Sequence, residues 1–140
     1  MGLNRFVLAQ DAGGTYAAAL AEMRRGRKES HWMWFVFPQL SGLGRSEMAQ
    51  RYAVADLAEA RAFLADPVLG QRLRECCEVL LELPSSDPVA VFGGIDAMKL
   101  RSSMTLFSHA ADVELDHGLF DGVLAKFFDG QEDPATVERL

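Results

Sequence analysis

An all-α fold with short connections is what this sequence predicts, and three observations carry that expectation. Apolar residues recur at helical spacing, as in Val68, Leu69, Leu73, Cys76, Leu80 and Leu83, and again in Leu100, Met104 and Phe107. Three Asp-Pro pairs, Asp66-Pro67, Asp87-Pro88 and Asp133-Pro134, read as helix starts. The Asp carboxylate accepts the free amides of a first turn, and Pro fits the first helical position because its missing N–H would be unpaired there. Strand signals, finally, are scarce: only MWFVF and VAVFG qualify, too few for a convincing sheet.

Taken in order, the elements begin with a short helix before Asp11. Thr15 is expected to cap YAAALAEMRR, which Gly26 ends. SHWMWFVFPQ is ambiguous on propensity, since aromatics and Val favour strands, yet Ser30 can cap a helix and Pro38 can end one. With helices on both sides, a short helix from about His31 to Phe37 is expected, with His31, Trp34 and Phe35 on one face. Aromatics on most of its sides require burial, so Trp32, Phe35 and Phe37 are assigned to the core. Ser46 is expected to cap one long Ala-, Leu- and Glu-rich helix, EMAQRYAVADLAEARAFLA. The Asp-Pro pairs then open PVLGQRLRECCEVLLEL, a shorter piece ending at Gly93-Gly94, and PATVERL. Asp96 is expected to cap AMKLRSSMTLFSHAA, and Gly130 stops HGLFDGVLAKFF. No repeat, low-complexity segment or linker interrupts the pattern, so residues 1–140 read as a single all-helical domain.

Composition narrows the function classes. The chain is 49% hydrophobic and 24% charged, ordinary for a soluble globular protein. Its formal charge of −6 argues against general nucleic-acid binding, because neutralising phosphates dominates that affinity. Cys76 and Cys77 are adjacent in a helical stretch, where neighbouring side chains point about 100° apart, a poor geometry for a disulfide. Two free thiols suit a reducing cytoplasm, the expected location. The opening residues lack a long apolar h-region, and the longest apolar run, WMWFVF, is far short of the ~18 residues that suggest a membrane span. No membrane partner is expected.

SHWMWFVFPQLSGLGRS, YAVADLAEARAFLADPVLGQRL and DAMKLRSSMTLF together resemble the signature blocks of an uncharacterised bacterial family, domain of unknown function 1810. RFVLAQ near the start and DGVLAKFFDGQEDPAT near the end are similar to its termini, so the resemblance spans nearly the whole chain. It implies a mainly α-helical single domain and no established activity. Proteins of this Rv-type also carry a "calpastatin-like" label. Calpastatins resemble disordered inhibitors, whereas a chain that is half hydrophobic, with two Trp and nine Phe, must fold.

Three stretches could carry chemistry. In RRGRKESH, Arg24 and Arg25 suit a helix C-terminus, where cations complement the dipole. Lys28 and His31 run directly into the aromatic block, and His31 beside a cation has reason to serve as acceptor or general base; a capping or core histidine is the alternative. PQLSGLGRS places Gly42 and Gly44 ahead of a helix start, where amides can face an anion, although it matches neither a Rossmann nor a Walker fingerprint and a tight turn explains it equally well. In GGIDAMKLRSSMT, Asp96, Lys99 and Ser103 share a helical stripe bordered by Ser102 and Thr105. Hydroxyls so dense are unfavourable inside a helix unless they bond something: either the preceding turn or a ligand.

No metal is expected. His31, His109 and His117 lack ligand spacing, and DVELDHGLF fails as a calcium loop because its glycine falls one place late and Val123 stands where a Glu should close it. No activated serine is recognisable either, and no cofactor is expected. The favoured expectation is a small anionic or nucleotide-like ligand, with hydrolysis left open. Trp34 would stack, Lys28 and Lys99 would neutralise charge, His31, Gln39, Ser102 and Ser103 would hydrogen-bond, and Asp96 would position Lys99 or act as a base. The alternative is a protein-interaction module in which the same residues only hold helices together.

Overall fold

The computed structural model describes residues 2–140. Its helices are α1 (Asn4–Asp11), a 3-10 turn (Ala12–Gly14), α2 (Thr15–Arg24), α3 (Met33–Val36), α4 (Glu47–Arg51), α5 (Leu57–Ala65), α6 (Leu69–Glu82), α7 (Pro88–Phe92), α8 (Gly94–Ala110), α9 (Glu114–Phe128) and α10 (Pro134–Arg139). Among the described residues no strand forms; one isolated parallel bridge joins Leu40 to Val54. The all-α expectation holds.

α8 is the axis of the fold. Leu100, Met104, Leu106 and Phe107 are fully buried along it, and it packs against α5, α7, α9 and α10. A second layer forms where α6 meets α2, α5 and α9 through Leu69, Leu73, Cys76 and Leu80. Aromatic side chains organise the core in two groups. Phe6, Phe63, Phe107 and Phe120 run in series with neighbouring ring centres 5.2–5.9 Å apart. Trp32, Phe37 and Phe92 form a triangle with centres 6.2–6.4 Å apart. Such edge and tilted contacts add roughly 0.5–1.5 kcal/mol per pair beyond burial.

Local chemistry explains the element boundaries. Asp87 and Asp133 cap α7 and α10 as their Asp-Pro pairs foretell. Asp66 accepts the amides of Val68 and Leu69 at 2.9 and 3.0 Å and so starts α6. The last carbonyls of α6 are collected by Lys126, whose ammonium donates to Leu80, Leu81 and Leu83. Gly70 stands where a Cβ would lie 2.2 Å from the carbonyl oxygen of Leu64, which lets α6 turn tightly off α5.

Four expected boundaries are corrected. Thr15 does not cap α2; Gly14 holds the cap position, and the Thr15 hydroxyl donates to the carbonyl of Ala12. The long helix after Ser46 is two. Ser46 caps α4, but the chain leaves the helix at Tyr52, and Asp56 caps α5 anew, its carboxylate accepting the Glu59 amide N–H at 2.9 Å. Arg5 holds this break open by taking the carbonyls of Arg51 and Ala53, which a continuous helix would need internally. The helix expected from His31 to Phe37 shrinks to the single turn α3. Ser30 is drawn to α2 and cannot cap it, and Gln10 donates to the Phe35 carbonyl at 2.8 Å. Asp96, finally, is not the cap of α8. The helix begins earlier, at Gly94, after Gly93 turns the chain at φ 81°, a conformation that favours glycine. Asp96 sits in the first turn with its carboxylate free to pair elsewhere.

Candidate functional site

The aromatic block is anchored by a residue that composition hides. Glu22, on α2, is 5% exposed and accepts four hydrogen bonds: from the amides of Glu29 and Ser30, the Ser30 hydroxyl, and the Trp32 indole at 2.9 Å. Burial alone raises its carboxyl pKa. The Ser30 hydroxyl, the two amides and the indole outweigh that and hold it down at about 2. Spacing could have identified it, since Glu22 lies three residues after Ala19 on the face of α2 that also buries Met23.

The two polar stretches on either side of the core meet here. Lys28 reaches α8 and pairs with Asp96 at 2.9 Å, donates to the Ser30 carbonyl at 2.5 Å, and lies 5.0 Å from the centre of the Trp32 ring. Its backbone amide bonds the Val91 carbonyl, which fastens the segment to α7. Asp96 in turn faces Lys99 at 3.6 Å, and the Lys99 ammonium lies 5.0 Å from the centre of the Trp34 ring. A chain of alternating charge and aromatic faces therefore runs Trp32, Lys28, Asp96, Lys99, Trp34. The Lys28 side chain is 8% exposed, whereas those of Asp96 and Lys99 are each 21% exposed. The cluster opens to solvent at its Lys99 end.

The other expected residues fare differently. Ser102 is turned away into a structural role: its hydroxyl donates at 2.9 Å to Asp133, the cap of α10, and lies 3.1 Å from the Met98 carbonyl. Thr105 does the same work beside it, donating to the Arg101 carbonyl and accepting the Asp133 amide. Gln39 uses its carbonyl to accept the Val54 amide, and its side-chain oxygen lies beside Gly44 rather than in the charged chain. His31 is exposed, and no hydrogen bond or ion pair among the described residues involves it. Ser103 is fully buried one turn beyond Lys99 on the same helical face.

Two buried side-chain polar atoms lack a hydrogen-bond partner among the described residues, Trp34 Nε1 and Ser103 Oγ. Both belong to residues adjoining Lys99, by ring contact in one case and helical spacing in the other. Leaving such a group unmet costs roughly 1–3 kcal/mol, so a pair of them is conspicuous in an otherwise satisfied interior. No three His, Cys, Asp or Glu side chains among the described residues gather closely enough to hold a metal ion, and no helix there is long and apolar enough to cross a membrane.

Known proteins place the fold without naming a reaction. The chain is similar to the conserved hypothetical protein Rv1873 from Mycobacterium tuberculosis, whose crystal structure superposes with a TM-score of 0.91 at 46% identity, covering 99% of this chain and 95% of that one. Comparison with curated proteins gave no match. A family model described as "Protein of unknown function (DUF1810)" matches residues 1–140. The likeness to that family read from the aromatic and DAMKLRSSMTLF blocks is thereby confirmed over the full length, and the chain belongs to it.

Proposed function

We propose that this chain binds a small anionic ligand at the Lys99 end of the charged chain, over Trp34 and Ser103. The observation that carries this reading is the pair of unpartnered buried groups beside a half-open ammonium. An indole N–H and an ammonium can only donate, and a serine hydroxyl can donate as well. The indole and the hydroxyl lack an acceptor and the ammonium has only a long one in Asp96, and a carboxylate or phosphate oxygen supplies one with charge assistance. Entry asks little of the fold. Lys99 has a flexible stem, and its contact with Asp96 is long, at 3.6 Å. Lys28 and Asp96 act here as positioning groups: Lys28 fixes Asp96, and Asp96 steers Lys99. A stacked nucleotide base is the weaker variant, because the Lys99 ammonium already covers one face of Trp34. Ser103 has no base in hydrogen-bond contact and Ser102 is committed to a helix cap, so the reading stops at binding.

One observation favours a protein partner instead. Ile95 and Met98, 78% and 51% exposed, flank Asp96 and Lys99 on α8 and would suit an apolar contact. A single experiment separates the two. Thermal unfolding of wild type, Lys99→Ala and Trp34→Phe is followed with pyrophosphate and with citrate at constant ionic strength. The anion reading expects a saturable rise in Tm for wild type that both variants lose, since a ligand that binds only the native state stabilises it by mass action. No rise, or an equal rise in all three proteins, overturns it and leaves the partner reading.

A further inference from the structure

The open side of the Lys99 site narrows what it can take. Ile95, Lys99 and Ser103 follow one another at four-residue spacing and so form one stripe on α8. Side chains on a helix lean toward its N-terminus. Ser103 therefore leans toward the turn of Lys99, and Lys99 toward the turn of Ile95. Exposure falls along the stripe: Ile95 stands largely in solvent, the Lys99 side chain is mostly covered, and Ser103 is fully buried. Met98, also exposed, borders Ile95 three residues on. The surface beside them is clear, since a Cβ added at Gly94 would meet nothing within 4 Å. An apolar shelf begins where the unmet donors end.

Charge narrows the ligand further. Lys28 and Lys99 set two formal positive charges against the one negative charge of Asp96. A single monoanion neutralises the remainder. A phosphate group brings about −1.5 to −2 at neutral pH and would set its surplus beside Asp96. The donors agree with the smaller charge. An ionised carboxylate has about four acceptor sites, enough for the Trp34 indole, the Ser103 hydroxyl and the Lys99 ammonium together. Resting on the anion site proposed above, we infer that its ligand is an aliphatic monocarboxylate, the carboxylate held by Trp34, Lys99 and Ser103 and the hydrocarbon chain laid over Ile95 and Met98. Unmet donors and exposed apolar side chains then have one occupant. Its chain covers apolar surface that water would otherwise wet, so chain length counts toward affinity.

The probes are acetate and hexanoate, titrated into the full chain while backbone amide resonances are followed, with hexanamide as the uncharged match for length. The expected result is saturable shifts at residues 34 and 95–103 with both acids, hexanoate bound about tenfold tighter than acetate, and no saturable shift with hexanamide. The double variant Ile95→Ser, Met98→Ser changes only exposed positions and should keep the wild-type spectrum elsewhere. It should bring hexanoate down to the affinity of acetate and leave acetate unchanged, whereas Lys99→Ala should lose both acids. Equal affinity for the two acids in wild type, saturable binding of hexanamide, or a hexanoate advantage that survives the double substitution overturns the monocarboxylate. The anion site itself then still stands or falls on the pyrophosphate and citrate unfolding experiment. Absence of any Lys99-dependent shift with either acid also overturns the inference, and a flat response to pyrophosphate and citrate as well removes the site with it.

Discussion

The two tryptophans of this chain stand two residues apart, and each has a lysine ammonium 5.0 Å from its ring centre. There the likeness ends. Trp32 is wholly buried, its N–H is met by Glu22, and its lysine is locked to Asp96 at 2.9 Å. Trp34 is half-buried, its N–H is met by nothing among the described residues, and its lysine is loosely held at 3.6 Å. Similar chemistry has been finished on one side of a single helical turn and left unfinished on the other. The finished half behaves as structure. The unfinished half is where a ligand has something to add.

Substitution at the two rings should break the symmetry most strongly. Trp32→Ala is expected to cost about 3–5 kcal/mol in urea unfolding, the usual loss for a large enclosed side chain. Trp34→Phe, which keeps an aromatic ring and deletes the unmet donor, should stay within about 1 kcal/mol of wild type. Comparable losses in the two variants would dissolve the distinction.

Acidity should act on the Trp32 side alone. The Glu22 carboxyl is held at about 2 in the folded chain against an ordinary value of 4.5. A depressed carboxyl stabilises the fold above its unfolded value, and that stability is lost as pH falls toward the folded value, because the unfolded chain then binds the extra proton. The difference corresponds to about 3 kcal/mol, present above roughly pH 5 and gone near pH 2. Unfolding free energies of wild type and Glu22→Gln should therefore differ most at neutral pH and converge as pH falls toward 2. Parallel curves for the two proteins would remove Glu22 as the anchor.

Ser103→Ala should move stability the other way by a smaller amount. Deleting a buried hydroxyl with no partner removes a desolvation cost, so a gain of up to about 1 kcal/mol is expected. If Ser103 also serves the proposed site, the same variant should lose part of the anion-dependent rise in Tm. A destabilised Ser103→Ala would mean that the hydroxyl is already satisfied.

How much of this was legible beforehand follows from the range of each interaction. Asp87, Asp133 and the apolar stripe of α8 act within a turn or two, and the sequence exposes them directly. Lys28, Trp34, Asp96 and Lys99 were recognisable as odd residues beside core-forming neighbours, and they do come together. Ser102 was read as lining a site, yet its partner Asp133 is distant in sequence and turns it into a helix tie. The break between α4 and α5 was hidden for the same reason, since it depends on Arg5. Glu22 was not singled out, because the four donors of one loop converge on it only after folding.

The smallest expected effect is read from the cysteines, which report on the comparison without taking part in it. Cys76 and Cys77 are free, fully buried on α6, and in the same apolar cluster as Trp32. Alkylation needs a thiolate, and burial pushes the Cys76 thiol up to about 12 and raises Cys77 well above its ordinary value. Native protein at pH 8 should therefore resist iodoacetamide until it opens, and the labelling rate becomes a measure of opening. Trp32→Ala should speed labelling steeply. Trp34→Phe should leave the rate within about fivefold of wild type, because a stability change within about 1 kcal/mol shifts an opening equilibrium by no more than that. Fast labelling in Trp34→Phe would place that ring in the supporting core after all, and the unmet indole N–H would then be a structural cost instead of a place for a ligand.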